Sequence, residues 1–198
     1  MLHELPPGER DYVSIRAPDF ALGETANRIV GNDLSNTITG NKYDDYISGG
    51  KGNDTLKGMD GDDVLSGGAG NDRLEGGNGD DALYGNTGTN RLEGGAGNDT
   101  YYGGDQDDLF IFDSGLDVVS SMYGADPGHD VLQFANVAGA DLRFYAVEDG
   151  ASLYITSVQD AADGSLDSGV IVEDYFAAQH LGLVDAVVGY DWIGYDLA

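Results

Sequence analysis

The chain has 198 residues, with 36 acidic side chains against 9 lysines and arginines and no cysteine. A net charge of −27 disfavours nucleic acid and anionic membranes as partners, and the missing thiols exclude disulfide staples and thiolate metal sites. Disorder is not expected, because 40% of the residues are hydrophobic and the glycines recur at a fixed spacing; no stretch reaches the roughly 18 apolar residues of a spanning helix.

Residues 1–21 do not repeat. Met1-Leu2-His3-Glu4-Leu5-Pro6-Pro7 has neither a basic region nor an apolar core, so no cleavable signal peptide is expected. Residues 11–16 alternate in polarity and are read as a short strand covering an open coil end, which a stacked repeat requires. A leader, or the remnant of a larger parent, is the alternative.

From residue 22 a period appears. Four segments read glycine-glycine-x-glycine-x-aspartate, beginning at Gly49, Gly67, Gly76 and Gly94. The nine-residue frame adds degenerate copies at Gly58, Gly85 and Gly103 and weaker ones at Gly40, Gly31 and Leu22, ten units over residues 22–111. The eighth position is apolar in every unit: Ile29, Ile38, Ile47, Leu56, Leu65, Leu74, Leu83, Leu92, Tyr101 and Phe110. Each unit is read as a six-residue glycine turn followed by a three-residue strand with its middle side chain inward. Two units close one coil of eighteen residues, so Ile38, Leu56, Leu74, Leu92 and Phe110 form one inner ladder. Ile29, Ile47, Leu65, Leu83 and Tyr101 form the facing one. One large apolar side chain per nine residues offsets only a small part of the backbone entropy lost on ordering them. A hard dication with oxygen ligands would neutralise the stacked acids and satisfy inward carbonyls, and calcium tolerates six to eight such ligands in irregular geometry.

Residues 22–111, 90 of the 198, resemble the parallel β-roll of RTX proteins, calcium-binding exoproteins of Gram-negative bacteria. The resemblance implies an all-β fold, a right-handed parallel β-solenoid with a β-rich C-terminal cap. It also implies a calcium ion between each pair of stacked turns, held by both sixth-position side chains. One side then offers Asp45, Asp63, Asp81 and Asp99, three full carboxylate pairs. The other offers Asn36, Asp54, Asp72, Asn90 and Asp108, where only Asp54 with Asp72 is a full pair and the asparagine-containing sites should be weaker or empty. The resemblance adds carbonyls at positions two and four of one turn and one and three of the next. For the 54/72 site these are Gly50, Gly52, Gly67 and Ala69. For the other side they include Gly58 and Asp60, then Gly61 with Gly76 and Asn78, then Gly77 and Gly79 with Gly94 and Ala96. In total about five to seven ions are expected. Tyr43 and Gln106 depart from the glycine pattern near the ends. Fifth-position acids such as Asp44, Asp62, Asp80 and Asp107 are expected to face solvent, since adjacent side chains diverge along extended backbone.

Residues 112–198 change character, with a single basic residue, Arg143, and frequent aromatics. Alternating runs at 130–134, 142–147, 153–158 and 170–173 are read as strands, Asp149-Gly150 as a hairpin turn, and residues 174–180 as the start of a short helix. The segment resembles the β-rich region that often follows RTX repeats, and its expected task is to cap the roll and nucleate its folding. By the same resemblance the last stretch, Trp192 to Ala198, is a type I secretion signal; a final cap strand is the alternative. No zinc signature, nucleophile elbow or phosphate loop accompanies His3, His129 and His180, so no catalytic residue is assigned. The expected function is a secreted or cell-surface module of a Gram-negative bacterium, monomeric, that folds on calcium outside the cell. It would support type I secretion of itself or of a larger enzyme, toxin or adhesin, with a type I transporter as partner. A calcium-dependent adhesin or glycan-binding module is the alternative.

Overall fold

The computed structural model describes residues 26–120, 129–137, 141–146, 152–157, 162, 168–173, 186–188 and 194–196. The strand expected at 11–16, the turn at 149–150 and the helix at 174–180 lie outside the described residues.

Ten strands follow the repeat: β1 (Arg28–Val30), β2 (Thr37–Thr39), β3 (Tyr46–Lys51), β4 (Thr55–Asp60), β5 (Val64–Ala69), β6 (Arg73–Asn78), β7 (Ala82–Thr87), β8 (Arg91–Ala96), β9 (Thr100–Asp105) and β10 (Leu109–Phe112). Odd strands stack in one parallel sheet and even strands in the other. The register is the expected eighteen residues. Ile29 pairs Ile47, Ile47 pairs Leu65, Leu65 pairs Leu83 and Leu83 pairs Tyr101 in one sheet. Ile38, Leu56, Leu74, Leu92 and Phe110 run likewise in the other. All ten are buried and form one continuous core.

The expected three-residue strand is found at β1 and β2 and is too short beyond them. From β3 to β9 each strand has six residues, because pairing resumes beyond the first-position glycine: Ser48 pairs Ser66, then Gly50 pairs Gly68 and Lys51 pairs Ala69. The backbone groups of positions two and three need partners, and the turn stacked above offers them at strand spacing. The ladder ends at position three, as at Lys51 opposite Ala69.

Beyond the tenth unit both sheets continue. Strand β11 (Leu116–Val119) stacks on β9, with Val119 opposite Tyr101; the sequence pattern alone did not point to it. The odd sheet then takes β15 (Gly169–Val172) in parallel, followed by antiparallel β14 (Leu153–Ser157) and β13 (Leu142–Ala146). The even sheet takes β12 (Val131–Phe134) and β16 (Ala186–Val188) in parallel and β17 (Gly194–Asp196) antiparallel. The C-terminal part therefore covers the last coil by pairing its open edges, which an exposed coil end would leave as hazards. Aromatic packing carries the core across the join: Tyr101 lies 6.1 Å from Phe110 and 5.0 Å from Phe112, and Phe112 lies 5.4 Å from Phe134.

Candidate metal centres between the turns

The turns stack as tightly as the strands. Position four requires left-handed backbone, as at Gly52 (φ 102°) and Gly61 (φ 108°). From the turn at Gly49 to that at Gly103 position two is left-handed as well, so that Met59 (φ 100°) and Asn86 (φ 73°) adopt it without being glycine. Gln106, at position four, is likewise forced to φ 78°; such conformations cost on the order of 1–3 kcal/mol each. Tyr43 escapes the pattern, since its N–H donates to Asn41 Oδ1 (2.9 Å) in a local turn.

Every sixth-position side chain of the described turns is buried: Asn36, Asp45, Asp54, Asp63, Asp72, Asp81, Asn90, Asp99 and Asp108 are each at most 3% exposed. One oxygen of each does structural work. Oδ1 accepts the N–H of the sixth residue one coil below, as from Asp45 to Asp63 (2.6 Å), Asp54 to Asp72 (2.7 Å), Asp63 to Asp81 (2.7 Å) and Asp81 to Asp99 (2.9 Å). The other oxygen of Asp54, Asp63, Asp72, Asp81 and Asp99 is buried with no hydrogen-bond partner. A buried acceptor left unmet costs on the order of 1–3 kcal/mol, and more when charged.

These oxygens converge on the first-position glycines. A Cβ on Gly58 would lie 2.0 Å from Asp63 Oδ2 and 2.7 Å from the Gly76 carbonyl oxygen. On Gly76 it would lie 2.2 Å from Asp81 Oδ2 and 2.6 Å from the Gly94 oxygen; on Gly49 and Gly67 it would meet Asp54 and Asp72 Oδ2 at 2.1 and 2.3 Å. A carboxylate oxygen of one turn and a carbonyl oxygen of the next thus share a cradle that only glycine leaves open. Carbonyls of positions two and four also face the turn above: Gly50 oxygen sits 2.1 Å from where a Gly68 Cβ would be, and Gly52 oxygen 2.0 Å from that of Gly70. Third-position carbonyls are already engaged. Ala69, Asn78 and Ala96 accept the N–H of Gly52, Gly61 and Gly79 at 2.8, 2.9 and 2.8 Å, with one lone pair each remaining. Among the described residues no three His, Cys, Asp or Glu side chains cluster as a metal site, so backbone oxygens must complete any shell.

The electrostatics match an incomplete site. Burial, with added repulsion from neighbouring acids, pushes Asp63 and Asp81 up to about 7, against a partial offset from the backbone N–H each accepts. Burial raises Asp72 and Asp99 to about 6 and Asp54 in the same direction. Side-chain cations do not relieve this. Among the described residues Lys57, Arg73 and Arg91 pair with Glu75 and Glu93 on the outer face of the even sheet, and no ion pair reaches these aspartates.

The positions differ. Both oxygens of Asp45 are taken, Oδ1 by the N–H of Asn27 (2.6 Å) and Oδ2 by that of Asn41 (2.7 Å). Asn90 Oδ1 accepts the Asp72 N–H (2.9 Å), which turns its NH2 into the cradle to donate to the Gly88 carbonyl (2.9 Å). Asn36 is turned the other way: its Oδ1 accepts the Asn32 N–H (2.8 Å) and lies 2.2 Å from where a Cβ on Gly31 would be, while its NH2 donates to Asn32 Oδ1 (3.2 Å). The fifth-position acids Asp44, Asp62, Asp80 and Asp107 are exposed. Asp44, Asp62 and Asp80 form an outer row in which the N–H of Asp62, Asp80 and Asn98 meets the oxygen below at 2.9, 2.9 and 2.7 Å.

Two buried aspartates extend the inner rows beyond the residues that the sequence pattern singled out. Asp117 Oδ1 accepts the Asp99 N–H (2.9 Å), and Asp130 Oδ1 accepts that of Asp108 (2.7 Å). Asp117 was in frame, eighteen residues after Asp99 with Val119 at the eighth position, but Phe112 and Asp113 replace the glycine pair. Asp130 follows Asp108 by twenty-two residues and left no periodic signal.

Four stretches match the family described as RTX calcium-binding nonapeptide repeat, at residues 30–59, 48–83, 57–92 and 84–119. No curated protein matches the chain. Among solved structures, the extracellular lipase LipA from Serratia marcescens is similar at 18% identity and a TM-score of 0.35, over 89% of this chain and 42% of the lipase. The chain thus spans less than half of that relative. The AlgE6R3 subunit of the Azotobacter vinelandii mannuronan C5-epimerase is similar at 26% identity and a TM-score of 0.25, over 78% of this chain and 79% of the subunit.

Proposed function

We propose, from the premise that residues 30–119 are RTX calcium-binding nonapeptide repeats, that this chain is a module folded by calcium. The observation that carries the reading is the row of buried carboxylate oxygens, at Asp54, Asp63, Asp72, Asp81 and Asp99, aimed without a partner into glycine-lined cradles. Calcium in such a cradle supplies two positive charges and a flexible demand for oxygen. The chain's own part is to bring carboxylate and carbonyl oxygens together while Oδ1 fixes each aspartate against the coil below.

The full pairs Asp63/Asp81, Asp81/Asp99 and Asp54/Asp72 are the principal sites. Asp45/Asp63 is weaker, because the Asn41 N–H competes for Asp45 Oδ2. Asp72/Asn90 and Asn90/Asp108 are weaker again, since the Asn90 amide nitrogen replaces one oxygen donor, and so is Asn36/Asp54, where the Asn36 oxygen brings no charge and already accepts the Asn32 N–H. Residues 1–21, 22–111 and 112–198 act as leader or cap, roll, and C-terminal cap. Among the described residues no helix is long and apolar enough to cross a membrane. The module stays unfolded where calcium is scarce, passes out of a Gram-negative cell through a type I transporter, and folds outside, alone or attached to a larger exoprotein.

The test is far-UV circular dichroism in chelator and then across a calcium titration. Folding is expected at roughly 0.1–1 mM calcium, the range of extracellular modules. A chain equally structured in chelator would overturn the reading.

A further inference from the structure

We propose that Asn78 is a self-modification site gated by the fold. While the roll is open, its side chain closes on the Gly79 nitrogen and converts to aspartate or isoaspartate; stacking of the calcium-loaded coils suppresses the reaction. What opens and closes the roll is calcium, as read above, and on that reading the gating rests.

Position four of this turn must be left-handed. At Gly79 (φ 129°) a Cβ would stand 2.2 Å from the Gly61 carbonyl oxygen, so only glycine serves. An asparagine at position three of such a turn is therefore followed by the one residue whose backbone nitrogen no side chain hinders. Asn78 stands there, and Asn78-Gly79 is the single Asn-Gly pair of the sequence. In an open chain the Gly79 nitrogen attacks Asn78 Cγ and an N–C bond forms. The Cγ–Nδ2 bond breaks, and ammonia departs with the proton that the Gly79 nitrogen gives up. Water then opens the resulting succinimide at either carbonyl. One opening leaves aspartate; the other leaves isoaspartate, whose main chain runs through Cβ and Cγ and is one carbon longer. Water is the sole co-reactant.

The folded coil holds the reacting groups apart. Asn78 ends β6, opposite Asp60 of β4 and Ala96 of β8, and extended backbone directs the next peptide nitrogen away from the residue's own side chain. The Gly79 N–H donates to the Ala96 carbonyl (2.8 Å), and the Asn78 carbonyl accepts the Gly61 N–H (2.9 Å). Asn78 Nδ2 donates to Asp60 Oδ1 (2.7 Å). Water is not withheld, since Asn78 is exposed; the ladder alone protects it. Conversion then follows the population of opened coils, which one ion at a hundredfold excess over its dissociation constant lowers by roughly a hundredfold. The product disables the coil. Turn 76–81 carries Asp81, which stands in both Asp63/Asp81 and Asp81/Asp99, and an extra main-chain carbon at residue 78 breaks register with Asp60 and Ala96 together. A chain held too long without calcium thereby loses the loading of its central coil.

The experiment ages the full chain in mildly alkaline buffer with chelator, with saturating calcium, and with urea. The peptide carrying Asn78 is read by mass spectrometry, and isoaspartate by enzymatic methylation. Asn78 is expected to convert in chelator and in urea roughly a hundredfold faster than in calcium. It should run ahead of Asn53, Asn71 and Asn98, each followed by aspartate. The calcium midpoint of folding should rise on ageing in chelator. Asn78→Gln should keep its own starting midpoint, because the longer side chain cyclises far more slowly. Equal rates in chelator and calcium, while circular dichroism shows calcium folding the chain, would overturn this site alone. So would Asn53, Asn71 and Asn98 converting as fast as Asn78 in urea. A fully converted chain with an unchanged midpoint would overturn the loss of loading. A chain equally folded in chelator and calcium would overturn the function proposed above. The site is then decided by urea against buffer, where equal rates sink it and a slower folded chain upholds it.

Discussion

Removing calcium should make folding depend on acid. In the metal-free roll, burial first and neighbouring carboxylates next raise Asp63 and Asp81 from 3.8 to about 7, whereas in the unfolded chain they return to about 3.9. Between those values the folded chain binds more protons than the unfolded one. Linkage then makes stability fall as pH rises through roughly 4 to 7 and level off above. After screening by solvent, the rise to about 7 is worth on the order of 1–2 kcal/mol for each carboxylate, a sizeable share of a domain's stability of about 5–15 kcal/mol once several coils are counted. A chain stripped of calcium on a chelating resin is therefore expected to be unfolded near pH 7.5 and to gain strand signal in far-UV circular dichroism toward about pH 5. With calcium bound the carboxylates stay ionised and the sign reverses, so acid loosens the loaded roll. General relief of a net charge of −27 could mimic the first effect. The variant Asp63→Asn/Asp81→Asn separates the two, since it removes two titrating groups and little of the total charge. Its metal-free form should depend less on pH. A wild-type signal flat between pH 7.5 and 5, or a pH dependence identical in the double variant, would refute the reasoning.

Two substitutions probe the cradles from opposite directions. Gly76→Ala puts a methyl 2.2 Å from Asp81 Oδ2 and 2.6 Å from the Gly94 oxygen; overpacking of this kind costs about 1–3 kcal/mol, so the calcium midpoint should rise by roughly tenfold, and an unchanged midpoint in a dichroism titration would count against the cradle as the binding place. Asn90→Asp keeps the acceptor for the Asp72 N–H and turns an amide nitrogen that now donates to Gly88 into an oxygen; it should destabilise the calcium-free chain and add up to two ions, each contributing about 2.7 kcal/mol at a hundredfold excess over its dissociation constant, and isothermal titration showing no added sites would contradict the pairing.

The period made most of the roll legible. Where every coil has eighteen residues the eighth-position side chains stack inward one above another, so Ile38 through Phe110 could be ordered on the two sheets from spacing alone. The length of the strands was not legible, because the pairing of Gly50 with Gly68 is made by backbone and leaves no pattern in residue type. Asp117 was hidden for a related reason. Its turn keeps the stacking of its neighbours with one glycine, Gly115, at the left-handed fourth position, and a search for paired glycines passes over it. At Asp130 the coil grows by four residues, yet the strand that follows still pairs Leu132 with Phe110. The hydrogen bond from Asp108 survives a change of loop length that destroys the sequence period.

The two terminal atoms of a sixth-position side chain answer to different demands, and this explains why asparagine can stand in for aspartate, as at Asn90, without breaking the roll. Oδ1 must accept an N–H from the coil below, which an amide oxygen does as well as a carboxylate, as the Asp72 N–H on Asn90 shows. The second atom is left to the cradle, where an amide presents hydrogens and a carboxylate presents charge. Folding of the backbone thus tolerates either residue, while the affinity of each cradle for a cation depends on which one stands there. Above Asn27 the first row keeps the carboxylate at every coil, Asp45, Asp63, Asp81, Asp99 and Asp117, whereas above Asn36 the second row, Asp54, Asp72, Asn90 and Asp108, is interrupted at Asn90. On the first side each buried charge has another one coil away, so filling one cradle lowers the cost of ionising its neighbours. On the second side Asn90 separates Asp72 from Asp108 and breaks that coupling. Calcium should accordingly load the first side as a cooperative run and the second as a single strong site with independent weaker ones.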